Sequence, residues 1–329
     1  MNKIILNNGV EMPQLGLGTF LIPEAELSRT INEAFKLGYR QFDTAWKYKN
    51  EKAIYNALKE NGIKREDVFL TTKANAASLY RGQYKYGRKN ILNIPNGRTI
   101  KDVTQESFDN LGTNYIDLFL IHYPYPNADR MWRELERLYF DGRIRAIGVS
   151  NFLKPHLEAL SQISDIVPAV NQFEISPLNT QKELIKYCQD KGIAVQAMST
   201  FSHFRSVKPR EEIIKNKSLM AIASKYNKSV VQIVLRWMLQ QHIILIPKTW
   251  YLPHLKENID IFDFELTKEE MSVVDTLDRG EFLNYNPYGQ QQGFFRRVRK
   301  SPEFKKWNET HPTNFFVDLI DQIRYALSI

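Results

Sequence analysis

The sequence predicts a (β/α)8 barrel, the TIM-barrel architecture, with an N-terminal β-hairpin in front and an extended C-terminal tail behind. Three observations carry this expectation. Eight apolar runs of about five residues recur along the chain, helix-length amphipathic stretches separate them, and no repeat, linker or low-complexity segment interrupts the alternation. Periodicity alone fits an open parallel sheet as well, but eight strand–helix units argue for closure. The chain is read as one domain, 1–329, of which 279–329 form a loop and tail.

At the start, KIILNNGVEMPQLG sets Asn8 and Gly9 between two short apolar runs, a tight-hairpin signal. The hairpin is expected to plug one end of the barrel. The strands are expected at LGLGT (15–19), YRQFDTA (39–45), VFLTTK (68–73), IDLFLIH (116–122), IRAIGVS (144–150), AVNQFE (169–174), IAVQAM (193–198) and HIILIP (242–247). Between them, EAELSRTINEAFKLG puts Leu27, Ile31, Ala34 and Phe35 on one helical face and ends at Gly38. NEKAIYNALKENG, TQKELIKYCQDKG and SVVQIVLRWMLQQ repeat that pattern.

Two stretches break the alternation. Residues 74–99 form a long polar connection after the third strand, carrying Tyr80, Arg81, Tyr84, Lys85, Tyr86, Arg88 and Lys89. Residues 279–329 include Tyr285, Tyr288, Phe294 and Phe295 and close on an amphipathic helix, FFVDLIDQIRYAL. Long connections in compact domains are usually functional or disordered, and loops that follow barrel strands lie on the face where active sites sit. The first stretch reads either as a solvated insertion or as a lid over a bulky or anionic substrate. The aromatic residues of the tail read either as packing against the barrel or as a pocket wall.

Composition narrows the function classes. The net charge of +8, from 45 basic and 37 acidic residues, is scattered along helices, with clusters only at 81–101 and in FFRRVRK. This reads as a solvated face or as attraction for an anionic ligand, with no nucleic-acid partner. The single cysteine, Cys188, excludes an intrachain disulfide and reads as a core thiol. The start has no signal-peptide pattern and no apolar run reaches the ~18 residues of a membrane span. A soluble, cytoplasmic protein without a membrane partner is expected, as a monomer or weak homo-oligomer.

In such a barrel, polar residues at the carboxyl ends of strands carry the function. Asp43 ends the second strand, Lys73 the third and His122 the fourth, and Tyr48 opens the loop after the second. Singly, each has a bland role: a helix cap, a surface lysine, a hydrogen-bonded histidine, a packed aromatic. Together they form a proton-donor constellation. A phenol with an ordinary pKa near 10 donates poorly at neutral pH unless a neighbouring cation stabilises the phenolate. Lys73 would be that cation, Asp43 would hold Lys73, and His122 would orient a carbonyl oxygen. An acid beside a positioned carbonyl implies a reduction and a hydride donor. Lys47 and Lys49, flanking Tyr48, read as solvated background.

GYRQFDTAWKYKNEKAI, GRIRAIGVSNF, AVNQFEISP and LIPKTWYLPHLKENIDIFDFELTKEEM, in that order, resemble the signatures of the aldo-keto reductase family over nearly the whole chain. The resemblance implies an NAD(P)H-dependent reductase of aldehydes or ketones, with Asp43, Tyr48, Lys73 and His122 as the catalytic tetrad and a small-molecule carbonyl as substrate. It implies that Ser150, Asn151 and Gln172 meet the nicotinamide carboxamide. Thr19 and Phe20 would line the nicotinamide and substrate cleft, with Tyr48 and His122 also facing substrate. Met198 and Ser199 would lie beside the ring, Lys248 and Thr249 would grip phosphate, and His254, Glu257 and Asn258 would sit near the adenosine. For Ser150, a plain strand end before a helix cap stays open. GLGTFL has two glycines of a dinucleotide fingerprint without the third, so no Rossmann unit is expected.

Three features depart from the family pattern. Met198 stands where a tyrosine usually stacks on the nicotinamide, and a flexible thioether gives up aromatic stacking. His254 stands where an arginine usually clamps the 2′-phosphate, and an imidazole offers neither a permanent charge nor a bidentate fork. Lys248 still favours NADPH over NADH as cofactor. The connection after Lys73 is also longer than the resemblance implies. An alternative reading is a cofactor-binding sensor or regulatory relative with little turnover, favoured by Met198 and His254 and opposed by the intact tetrad. A further one, a barrel lyase forming a Schiff base through Lys73, predicts a borohydride-trappable adduct.

Overall fold

The structure is a computed structural model describing residues 2–74, 80–81, 94–95, 99–124, 128–201 and 208–283. Eight parallel strands form the central sheet: β3 (Leu17–Gly18), β4 (Gln41–Asp43), β5 (Phe69–Ala74), β8 (Ile116–Ile121), β9 (Ile144–Ser150), β10 (Val170–Glu174), β11 (Ala194–Met198) and β12 (Ile244–Leu245). They run in the order β12-β11-β10-β9-β8-β5-β4-β3. Each lies within one of the eight predicted runs except β5, which extends one residue past its run to Ala74. A parallel bridge from Leu15 to Leu245, with the Gly16 amide donating to the Leu245 carbonyl at 2.8 Å, brings the two outer strands together. The seam is tight: a Cβ on Gly18 would lie 2.7 Å from the carbonyl oxygen of Ile246.

The hairpin pairs β1 (Lys3–Ile5) with β2 (Glu11–Pro13) in antiparallel register. Gly9 takes φ +84° in its turn, a conformation that suits glycine. Leu6 and Met12 pack on Phe69, Leu118, Ala146, Val170 and Ile244, whose side chains point into the barrel. The hairpin thus stoppers the amino-terminal end, as expected.

Helices surround the sheet: α1 (Glu24–Lys36), α2 (Glu51–Glu60), α3 (Ile100–Asn110), α4 (Ala128–Phe140), α5 (Lys154–Ser161), α6 (Lys182–Asp190), α7 (Lys208–Ile214), α8 (Lys217–Tyr226), α9 (Val230–Leu239), α10 (Leu252–Ile259) and α11 (Lys268–Asp275). In α1 the apolar stripe does what its spacing dictates, burying Leu27, Ile31 and Ala34 against the sheet. At its end Gly38, at φ +104°, donates to Phe35 and Tyr39 donates to Ala34, a reversal that feeds β4. The one-helix-per-strand expectation fails after β11, where α7, α8 and α9 all precede β12. Asn216 and Ser229, capping α8 and α9, divide that stretch into separate helices.

In the long connection, β6 (Tyr80–Arg81) pairs antiparallel with β7 (Ile94–Pro95). The side chains of Tyr80 and Arg81, and Tyr84, Lys85, Tyr86, Arg88 and Lys89, lie outside what is described, as do Tyr285, Tyr288, Phe294, Phe295 and the predicted final helix. The start of the tail is fixed on the carboxyl face. Arg279 and Glu281 donate backbone hydrogen bonds to the Leu178 carbonyl, and the Leu283 amide donates to buried Glu174 at 2.5 Å.

Cys188 is buried, and burial pushes its thiol up to about 12, which fits a core residue and not a nucleophile. Among the described residues no helix is long and apolar enough to cross a membrane, and no group of three potential metal ligands converges.

Candidate active site at the carboxyl ends of the strands

Strand alternation places the tetrad. In β5, Leu70 and Thr72 face the helices, so Thr71 and Lys73 face inward. In β4, Phe42 packs outward and Gln41 and Asp43 face the interior. Lys73 and Asp43 are 0% and 2% exposed, and the Lys73 ammonium donates to Asp43 Oδ1 at 2.5 Å and to the Thr44 carbonyl at 2.7 Å. Burial lowers the Lys73 pKa, while Asp43 and then Glu51 oppose that shift.

Tyr48 sits on a single 3-10 turn, Trp46–Tyr48, held by its amide donating to the Ala45 carbonyl at 2.9 Å. Lys73 Nζ lies 5.2 Å from the centroid of the Tyr48 ring. The His122 ring meets Tyr48 edge-on at 5.7 Å and stacks on Tyr123 at 4.5 Å. Burial first, then the charges of Lys73 and Lys47, hold the His122 imidazole well below its ordinary pKa. It is a neutral ring at physiological pH, with Nδ1 buried and unpartnered. Lys47 and Lys49 are exposed, as read; the charge of Lys47 adds the smallest of the three effects on His122, and Lys49 covers the face of Trp46 at 3.5 Å.

A supporting layer joins Thr19 and Gln172, read in the sequence only as cofactor residues, to Thr44, Asn50, Glu51, Thr72 and Gln196, which went unread. Thr19 donates its hydroxyl to the Asp43 carbonyl at 2.9 Å, and Asn50 donates to the Thr19 carbonyl at 3.0 Å while accepting from Thr44 at 2.6 Å. These bonds fix the turn that carries Tyr48. Thr72 donates to buried Glu51 at 2.6 Å, tying β5 to the start of α2, and burial raises the Glu51 pKa. Across the interior, Gln172 Nε2 donates to Asp43 Oδ2 at 2.9 Å and to Gln196 Oε1 at 2.7 Å. A signal for Gln196 was present: in IAVQAM it is the polar residue of the inward set Ala194, Gln196, Met198.

The residues assigned to a cofactor fall into two groups. Ser150 and Asn151 lie at the carboxyl end of β9, Met198 and Ser199 at that of β11, and Gln172 in the middle of β10 in register with Ser150, around the mouth that holds the tetrad. Asn151, at φ +62°, takes a left-handed conformation that asparagine tolerates, and its amide donates to the His122 carbonyl at 3.0 Å and to Ser150 Oγ at 3.1 Å. Phe20 packs on Tyr48 with centroids 4.7 Å apart.

Lys248 and Thr249 follow β12, and among the described residues no carboxylate pairs with Lys248, whose ammonium lies 4.6 Å from the Trp250 ring centroid. Burial of the amine and then Arg210 lower the Lys248 pKa. The Thr249 hydroxyl accepts from the Tyr251 amide at 3.0 Å. His254, Glu257 and Asn258 share one face of α10, with His254 half-buried against the edge of Tyr251.

Residues 14–279 match the model of the aldo/keto reductase family. The chain is 41% identical over 289 residues to the glyoxal reductase of Bacillus subtilis, covering 87% of this chain and 96% of that protein. It is 36% identical over 287 residues to the methylglyoxal reductase of Yersinia pestis, covering 86% and 95%. Among solved structures, a Bombyx mori aldo-keto reductase in complex with NADP superposes with a TM-score of 0.73 at 32% identity, covering 86% of this chain and 94% of that one. An aldo-keto reductase from a deep-sea metagenome library superposes with a TM-score of 0.75 at 33% identity, covering 85% and 96%. The chain belongs to the aldo/keto reductase family, as an oxidoreductase that works with a nicotinamide cofactor on a barrel of eight parallel strands.

Proposed function

We propose that this protein reduces small aldehydes, reactive dicarbonyls among them, to alcohols with NADPH, and that Tyr48 is the general acid. The observation that carries the reading is the buried Lys73–Asp43 pair set against the Tyr48 ring, with a neutral His122 at its edge. A nicotinamide cofactor held by Ser150, Asn151, Gln172 and Lys248 would supply the hydride for the carbonyl carbon. Tyr48 gives its hydroxyl proton to the carbonyl oxygen as the π bond breaks, so one C–H and one O–H bond form and an alcohol leaves. Lys73 stabilises the resulting phenolate, and Asp43 keeps Lys73 charged in a site where burial works against charge. His122, being neutral, offers the carbonyl oxygen a hydrogen bond without adding a second cation that would compete with the proton from Tyr48.

The residues around the mouth suit a dinucleotide. Gln172 has an amide oxygen left for a carboxamide N–H, Ser150 offers a hydroxyl, and Lys248 is a cation without a carboxylate partner among the described residues. Met198 would pack on the ring as a thioether, and Lys248 favours the 2′-phosphate, so NADPH is preferred over NADH even with His254 in place of an arginine. The glyoxal and methylglyoxal reductases among the relatives support small dicarbonyls as substrates. The barrel and its hairpin are read as one functional unit, with residues 279–329 as its extension.

The test is Tyr48→Phe, assayed by NADPH oxidation with methylglyoxal and by NADPH binding. Removing a positioned acid should lower kcat about 10²- to 10⁴-fold with the dissociation constant unchanged. Near-normal reduction by the variant would sink the assignment.

A further inference from the structure

We propose that Gln196 is a positioning residue of this site: it locks the Gln172 amide so that the barrel interior is braced from β11 to β5 and only the Gln172 carbonyl oxygen faces a bound cofactor. The inference rests on the reading of Gln172 as the partner of the nicotinamide carboxamide.

The chain of contacts is continuous and buried. Gln196 Oε1 accepts from Gln172 Nε2 at 2.7 Å, Gln172 Nε2 donates to Asp43 Oδ2 at 2.9 Å, and Asp43 Oδ1 accepts from Lys73 at 2.5 Å. Gln196, Gln172, Asp43 and Lys73 are at most 2% exposed. β10 and β4 are separated by β9, β8 and β5 in the strand order, so the Gln172–Asp43 bond crosses the barrel instead of following the sheet. Gln172 and Gln196 are register partners on adjacent strands, which sets the two side chains next to each other.

Donor and acceptor chemistry then orients both amides, with Gln196 Nε2 left buried and unpartnered. A carboxylate only accepts, so the Gln172 atom facing Asp43 is its NH2, and the Gln196 atom facing that NH2 is its oxygen. An amide NH2 has two N–H bonds, and Asp43 and Gln196 take both. Gln172 is left as an acceptor only. A cofactor carboxamide must therefore meet it through an N–H, which selects one of the two ways that carboxamide can face. Without Gln196, the second N–H of Gln172 has no acceptor and the side chain is free to turn.

The test compares three probes by fluorescence quenching and competition: NADPH, its reduced 3-acetylpyridine analogue, which keeps the carbonyl and lacks the N–H, and 2′,5′-ADP, which lacks the ring. The wild type should bind NADPH about 3- to 10-fold more tightly than the analogue, the value of one hydrogen bond. Gln196→Leu, and Gln196→Asn, which withdraws the acceptor by one methylene, should erase most of that preference and leave 2′,5′-ADP binding unchanged. Gln196→Glu, which keeps the acceptor oxygen, should retain the preference. Wild-type indifference to the analogue overturns the proposal, as does a preference that survives in Gln196→Leu or Gln196→Asn, or is lost in Gln196→Glu. An equal loss of 2′,5′-ADP binding also overturns it, because the effect would then be general. Failure of the proposed function would show separately, as wild-type protein that binds NADPH but does not oxidise it with methylglyoxal.

Discussion

Lys73→Met removes the cation from a pair that is 0% and 3% exposed at the side chains and leaves the Asp43 carboxylate buried. Gln172 remains as a donor to one of its oxygens, and the Lys73 bond to the Thr44 carbonyl is lost as well. Breaking one side of a buried ion pair typically costs about 3–5 kcal/mol, because the surviving charge has no compensation. That is roughly two to four powers of ten in the ratio of folded to unfolded chains, and a large share of the ~5–15 kcal/mol that holds a typical domain together. The double variant Asp43→Asn/Lys73→Met removes both charges at nearly constant volume and should recover most of the loss, to within about 1.5 kcal/mol of the wild type. Activity separates from stability here, since reduction should fall at least ~10²-fold in single and double variants alike. Urea unfolding followed by circular dichroism, alongside NADPH oxidation, reads both quantities. If the single variant were no less stable than the double, the pair would not be the buried, mutually dependent unit inferred from its geometry.

Three other outcomes follow from the same structure. His254→Arg should tighten NADPH binding about 10- to 100-fold, the value of a charge-assisted contact to the 2′-phosphate, and leave NADH unchanged; an equal gain for both cofactors would move the 2′-phosphate away from α10. Burial holds His156 down to about 3 and His122 well below its usual value, so both rings fold uncharged. Below about pH 6.5 the unfolded chain binds protons that the folded chain does not, and stability should drop by up to ~1.4 kcal/mol per pH unit for each ring. A urea midpoint unchanged between pH 7.5 and 5 would contradict this. Gly18→Ala should cost about 1–3 kcal/mol, read as a lower Tm, since its Cβ would meet the Ile246 carbonyl oxygen at 2.7 Å across the seam.

The sequence by itself determined the strands, because runs such as IDLFLIH and IRAIGVS are short, apolar and bounded by turn residues, and that pattern is local. It determined the hairpin through Asn8 and Gly9, and it singled out Asp43, Tyr48, Lys73 and His122, polar groups at or just beyond the ends of apolar runs. The three helices between β11 and β12 were only partly legible, since one amphipathic stretch stood out and the capped turns before it were weaker signals. What only the tertiary structure decided are pairings across the barrel. The bond from Gln172 to Asp43 joins residues 129 positions apart in the chain, and no periodicity announces it. The neutrality of His122 is of the same kind, for it follows from burial and from Lys73 and Lys47 arriving on other segments. Alternation along a strand is set by the backbone and can be read residue by residue. Which side chains meet inside a closed barrel depends on strand order and register, and those exist only once the chain has folded.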